Sequence, residues 1–260
     1  MLPVSGIDLV VREPTGQDEL YVVETDLAPV PALLGLAARV TRTAAGAEVD
    51  WATIPASDAG AVALTIRQSW LGDAISTDTR CPQPACGERI DVAFGIDAYL
   101  RHHSPRRPRG VTNGRASQAP DPGWFTLTGA DVRFRIPTIG DVMAVWYEPE
   151  PDAALLSRCV DPAEISPAVA RRLDRALSAL APSLSDLVGG GCPACGHQVA
   201  LRFDPVSYTI ADLRNAFAGL HWQTHAIAAA YGWPEDAILA LPRGRRARYA
   251  SIISDERSVA

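Results

Sequence analysis

A chain of 260 residues with 47% hydrophobic and 21% charged side chains holds enough apolar content for one large or two modest cores, and it is not composed like a disordered protein. Its net charge of −6 disfavours non-specific attraction to a phosphate backbone, although a local basic patch can oppose that average. The opening Met1-Leu-Pro-Val-Ser-Gly6 lacks the basic and apolar regions of a secretory leader, and no apolar run approaches a membrane span, so a cytoplasmic chain without membrane contact is expected.

In chain order, Gly6–Arg12 reads as a strand, and Thr15 with Asp18 three residues on opens a helix near residue 16. A further helix is expected over Ala59–Leu71. It leads to a first cysteine knuckle, Cys81-Pro-Gln-Pro-Ala-Cys86-Gly. Ile90, Val92 and Phe94 then alternate as one face of a strand, with Tyr99 beyond. Residues 101–128, rich in Arg, Pro and Gly and without apolar periodicity, read as a solvated linker whose arginines and histidines suit an acidic partner.

The same order then returns. Asp131–Ile136 alternates like a strand, and Thr138 with Asp141 opens a helix through Trp146. Cys159 has no cysteine near it and reads as a small buried side chain. Ala170, Leu173, Leu177 and Leu180 mark a helix over 167–181. The second knuckle, Cys192-Pro-Ala-Cys195-Gly-His197, precedes a strand carrying Val199, Leu201 and Phe203, with Tyr208 beyond. Arg12-Glu-Pro14-Thr15…Asp18 matches Arg135-Ile-Pro137-Thr138…Asp141. Capping chemistry explains the threonines and aspartates but not the matching Arg and Pro, so we read two degenerate copies of one unit.

The last fifty residues have no counterpart in the first copy. Leu213, Phe217, Leu220, Thr224, Ile227 and Tyr231 predict one amphipathic helix ended by Gly232. A second helix follows over Glu235–Leu241, and a third places Arg243, Arg245, Arg246 and Arg248 on one basic, partner-binding surface.

Four cysteines on two tight turns with a shared Cys-Pro…Ala-Cys-Gly frame are a zinc-ribbon signal, and in a reducing compartment paired cysteines more often bind metal than form disulfides. Cys81, Cys86, Cys192 and Cys195 are therefore the expected ligands of one structural zinc ion, a closed site with no position left for water. His221 and His225 lie one helical turn apart but lack the glutamate of a zinc-protease helix, Trp222 standing there instead. No phosphate loop, serine elbow or defensible acid–base carboxylate pair appears, so an enzyme is not expected.

The two knuckles, each followed by a strand, and the closing run Tyr231-Gly-Trp-Pro-Glu-Asp-Ala-Ile-Leu-Ala-Leu-Pro-Arg-Gly-Arg-Arg-Ala-Arg-Tyr249 resemble the baseplate hub assembly chaperone family of contractile phage tails and phage-tail-like contractile injection systems. The resemblance implies a non-enzymatic protein that helps hub or baseplate components assemble. The widened first knuckle and the arginine-rich linker depart from the family pattern. The alternative is a nucleic-acid-binding regulator using the zinc ribbon or a helix-turn-helix, with the tail arginines on phosphates; the net acidity weighs against it.

The expected fold is therefore α+β. Two repeats of strand, helix, zinc knuckle and strand, at 1–100 and 129–210, flank the linker 101–128 and share a four-cysteine zinc-ribbon-like site. A helical tail occupies 211–260.

Overall fold

The computed structural model describes residues 1–113 and 123–259, the side chains of 257–259 excepted. In chain order it runs β1 (Leu9–Val11), α1 (Gly16–Glu24), α2 (Pro29–Val40), β2 (Thr41–Thr43), α3 (Ala59–Leu71), β3 (Ala74–Arg80), β4 (Arg89–Gly95) and α4 (Ile96–His102). There follow β5 (Val111–Asn113), β6 (Trp124–Leu127), β7 (Val132–Arg135), α5 (Ile139–Val145), α6 (Pro151–Cys159), β8 (Val160–Asp161) and α7 (Pro167–Leu180). The chain closes with β9 (Asp186–Gly191), β10 (Gln198–Phe203), α8 (Pro205–Phe217), α9 (Leu220–Tyr231), α10 (Glu235–Leu239) and α11 (Arg243–Val259). This is a mixed α+β protein with small antiparallel sheets. None of the described helices is long and apolar enough to cross a membrane.

Two compact units cut across the segments expected from the sequence. One comprises Met1–Asp8, Val49–Val62 and Asp73–Asp204; the other comprises Leu9–Glu48, Ala63–Gly72 and Pro205–Ala260. The tail helices thus share a unit with β1, α1, α2 and β2.

In that second unit, Leu33, Leu36, Ala37 and Val40 recur at helical spacing on α2 and are buried. Ile210, Leu213 and Phe217 do the same on α8. The single helix expected through Leu213–Tyr231 is instead two, α8 and α9, separated at Ala218-Gly219. The apolar four-three spacing runs straight through the break, so periodicity could not reveal it. Gly232 ends α9 in the left-handed region, φ 66°, where glycine carries no Cβ penalty. Ala226 and Ile227 of α9 pack with Ile238 of α10 and Ile253 of α11.

The expected basic surface needs one correction. Arg246 is buried, and its guanidinium bonds the Glu19 carboxylate and, at 3.1 Å, the Gln223 Oε1. It shares a buried face of α11 with Ala250 and Ile253, four and seven positions on. Burial pushes the Glu19 carboxyl up from its usual value, against the pull of Arg246 and Arg243. Arg243 lies over the Phe217 ring, 5.1 Å from its centroid, and donates to the Ala216 carbonyl. Arg245 and Arg248 remain exposed.

In the first unit, β5, β6, β7 and β8 form one antiparallel sheet in that order. Val111, Leu127, Val132, Phe134 and Val160 from it pack on Leu173 and Ala176 of α7. The linker expected over 101–128 is therefore folded in part: its start ends α4, while β5 and β6 belong to this sheet. Val111 is the lone apolar residue of β5, too little to register as periodicity. Residues 114–122 of that stretch lie outside the described residues.

One clamp occurs in each unit. The Arg12 guanidinium meets the Asp18 carboxylate through two bonds, 2.6 and 2.9 Å, while Thr15 donates to it from its amide and hydroxyl at 2.8 and 2.7 Å. Arg135 likewise holds Asp141 through two bonds, one of 2.7 Å, and the Thr138 amide and hydroxyl each donate at 3.0 Å. Arg12 donates further to the Arg39 carbonyl at the end of α2, and Arg135 to the Arg158 carbonyl at the end of α6, each at 3.2 Å. Cys159 is buried beside the second clamp; burial is the main cause that pushes its thiol up to about 11, which suits packing rather than attack.

Candidate metal centre

Two β-hairpins of the first unit carry the four cysteines. β3 and β4 pair from Ala74↔Gly95 to Arg80↔Arg89, and β9 and β10 pair from Asp186↔Phe203 to Gly191↔Gln198. In each hairpin one cysteine follows the last paired residue of the outgoing strand, and the other precedes the returning strand by three positions. Cys81 donates its amide to the Glu88 carbonyl and Cys192 donates to the His197 carbonyl, both at 2.8 Å, so each turn is closed by the same bond. Gly87 and Gly196 follow the second cysteines at φ 60° and 74°, a backbone that only glycine adopts without strain. The two extra residues in the first turn are absorbed between Cys81 and Cys86, and the frame on either side is unchanged. His197 thus contributes a backbone carbonyl rather than a ligand nitrogen.

The four sulfurs lie within 4.8 Å of one another. Cys81 Sγ is 3.6 Å from Cys195 Sγ, and Cys86 Sγ is 3.9 Å from Cys192 Sγ. These separations far exceed a disulfide bond of about 2.05 Å. Four thiolates at a zinc–sulfur distance of about 2.3 Å have tetrahedral edges of about 3.8 Å, close to these two separations. Cys81 and Cys192 are buried beside Val199, with Cys86 and Ile90 packed against them. The apolar floor excludes water from one side of the cluster.

The thiols differ in acidity. Burial is the largest influence on both Cys81 and Cys192 and acts to raise each, pushing Cys81 up to about 12. At Cys192 the amides of Ala194 and Cys195 and the neighbouring sulfurs outweigh it, and the value falls to about 7. Two amides aimed at one sulfur are the usual device of a knuckle that stabilises thiolate.

Away from the sulfurs the hairpins meet again through aromatic rings. Phe94 of β4 stands edge-on to Phe203 of β10 at 5.1 Å, and Tyr99 of α4 lies 5.2 and 5.3 Å from the two. The Tyr99 hydroxyl donates to the Leu184 carbonyl at 2.5 Å, and burial, reinforced by Asp186 and Asp204, pushes its pKa up to about 12. Sequence reasoning named Phe94, Tyr99 and Phe203 as matching positions but missed this contact, because cross-hairpin packing leaves no short-range spacing to read.

β9 was missed as well. Its Val188-Gly-Gly-Gly191 run has little strand propensity, yet Gly189 must be small: a Cβ there would sit 2.0 Å from the Val199 carbonyl oxygen. His221 Nε2 lies 3.9 Å from Glu24 Oε1. Among the described residues the four cysteines are the only grouping of three or more potential metal ligands. No protein-family model, curated protein or solved structure matches this chain.

Proposed function

We propose that the chain is a non-enzymatic assembly scaffold, stapled by one structural zinc ion, that chaperones the baseplate or hub of a contractile tail-like particle. The carrying observation is the four-sulfur cluster, gathered from two hairpins over a hundred residues apart in sequence. Four thiolates fill a zinc tetrahedron and leave no position for a water nucleophile, so the ion would hold the hairpins together rather than act on a substrate. Cys81, Cys86, Cys192 and Cys195 would supply the ligands.

The proposal includes duplication. β1–α1–α2–β2 and β7–α5–α6–β8 share their order, each is followed by a helix and a cysteine hairpin, and the two Arg–Asp–Thr clamps share the paired guanidinium bonds, both threonine donations and the arginine's bond to a helix-end carbonyl, Asp141 taking a further bond from Arg158 at 3.3 Å. Convergence on a capping residue would not also reproduce the arginine and its second bond to a helix-end carbonyl.

The partner assignment rests on the resemblance of the knuckles and the closing segment to the hub chaperones. Exposed Arg243, Arg245 and Arg248 are the contacts we assign to the tail surface, without the buried Arg246. Co-expression with the baseplate and hub proteins of a contractile tail-like particle from the same genome should yield a stable complex. Recovery of the chain free of all of them would reject the partner assignment, and a purified protein holding less than one zinc per monomer would reject the staple.

A further inference from the structure

The arginine-rich stretch after α4 folds back along α7, the Arg106 amide donating to the Ala179 carbonyl at 2.7 Å. Two neighbouring clefts of the first unit lie along this seam. The first, about 270 Å³, has a floor of Val111, Leu127 and Ala176 beneath Arg109, Arg172 and Arg175. The second, about 550 Å³, shares Arg175 and adds Arg106, His102 and His103. In a protein of net charge −6, four arginines are concentrated here on one seam.

Among the described residues their bonds go to neutral oxygens. Arg172 donates to the Thr128 carbonyl at 2.6 Å and Arg175 to the Arg171 carbonyl at 3.2 Å, so both bond neutral oxygens. Among the described residues no carboxylate forms an ion pair with Arg106, Arg109, Arg172 or Arg175. Among the described residues Asp186 is the sole carboxylate lining either cleft, and His103 Nε2 lies 3.3 Å from it.

We propose that the paired clefts dock an acidic polypeptide segment of a partner protein. Guanidinium groups bind carboxylates in bidentate, charge-assisted bonds. Arg175 belongs to both clefts, so a ligand that uses all four cations must be extended rather than a single small anion. The apolar floor between Arg109 and Arg172 suits an aliphatic side chain flanked by acids. No Phe, Tyr or Trp lines either cleft, which removes the stacking platform expected of a single-stranded nucleic-acid groove.

The zinc-loaded full chain should bind a labelled peptide of Glu-Glu-Leu repeats at low salt, with affinity falling as salt rises. Arg109→Gln with Arg175→Gln should weaken binding about tenfold or more. Arg42→Gln with Arg202→Gln, an equal charge change at exposed sites elsewhere, should leave it nearly unchanged. Metal content and near-UV circular dichroism establish that both doubles are folded. No binding by the wild type, or equal losses in the two doubles, would overturn the proposal. So would tighter binding of duplex DNA that the first double abolishes, since the clefts would then serve nucleic acid.

Discussion

Asp18 and Asp141 are nearly buried carboxylates, and each is held by an arginine and a threonine. Arg135, the leading influence, and Thr138 hold the Asp141 carboxyl well below the usual carboxylate range. A depressed native pKa stabilises the fold above the unfolded value of about 4, and that stability is lost as pH falls through the native value. Asp141→Asn should cost about 1.5–3 kcal/mol in urea unfolding at neutral pH. Its stability should also fall less than that of the wild type between about pH 5 and pH 2. A cost that is the same at both ends of that range would place the effect in packing alone. Arg246 makes a different point. Removing a buried guanidinium leaves Glu19 without its cation, so Arg246→Met should destabilise by about 3–5 kcal/mol. Adding Glu19→Met should restore part of the loss. A partner-binding defect in Arg246 variants would accordingly report misfolding, which the paired variant distinguishes from a lost contact.

At the scale of the elements, the two cysteine hairpins depend on close backbone approach as much as on sulfur. Gly189→Ala forces its methyl into the Val199 carbonyl and should cost about 1–3 kcal/mol, while Gly190→Ala, whose methyl meets nothing, should cost less than about 0.5. Comparing their urea midpoints and zinc content decides it. This pair also shows what could be read from the chain. α7 was legible because its apolar residues recur at helical spacing, and the cysteine turns because thiols, proline and glycine sit at fixed offsets. β3, rich in polar residues, and β9, rich in glycine, carry neither signal; their partners β4 and β10 define them. The inward turn of Arg246 was equally illegible, since its acceptor Glu19 lies 227 positions away. Local chemistry announces turns and caps, whereas long-range pairing announces itself only when the chain has folded.

For the molecule as a whole, compactness does not follow chain order. The tail helices share a unit with Leu9–Glu48, and the knuckles, far apart in sequence, share the other. The four-cysteine cluster then has a topological consequence. A metal bound there closes a ring through Cys86 and Cys192, 106 positions apart, so a single backbone cut inside that ring leaves both pieces tethered. Arg109, exposed and followed by Gly110, offers trypsin a place to make the cut. Nicked protein should migrate as one species under native conditions with its metal in place. Once a chelator strips the ion, the ring opens at its clasp and unfolding should begin at a lower temperature, by about 10 °C or more for a loss of several kcal/mol. Against proteolysis, the sulfur cluster would act as a reversible weld, intact while metal is supplied and released when it is withdrawn.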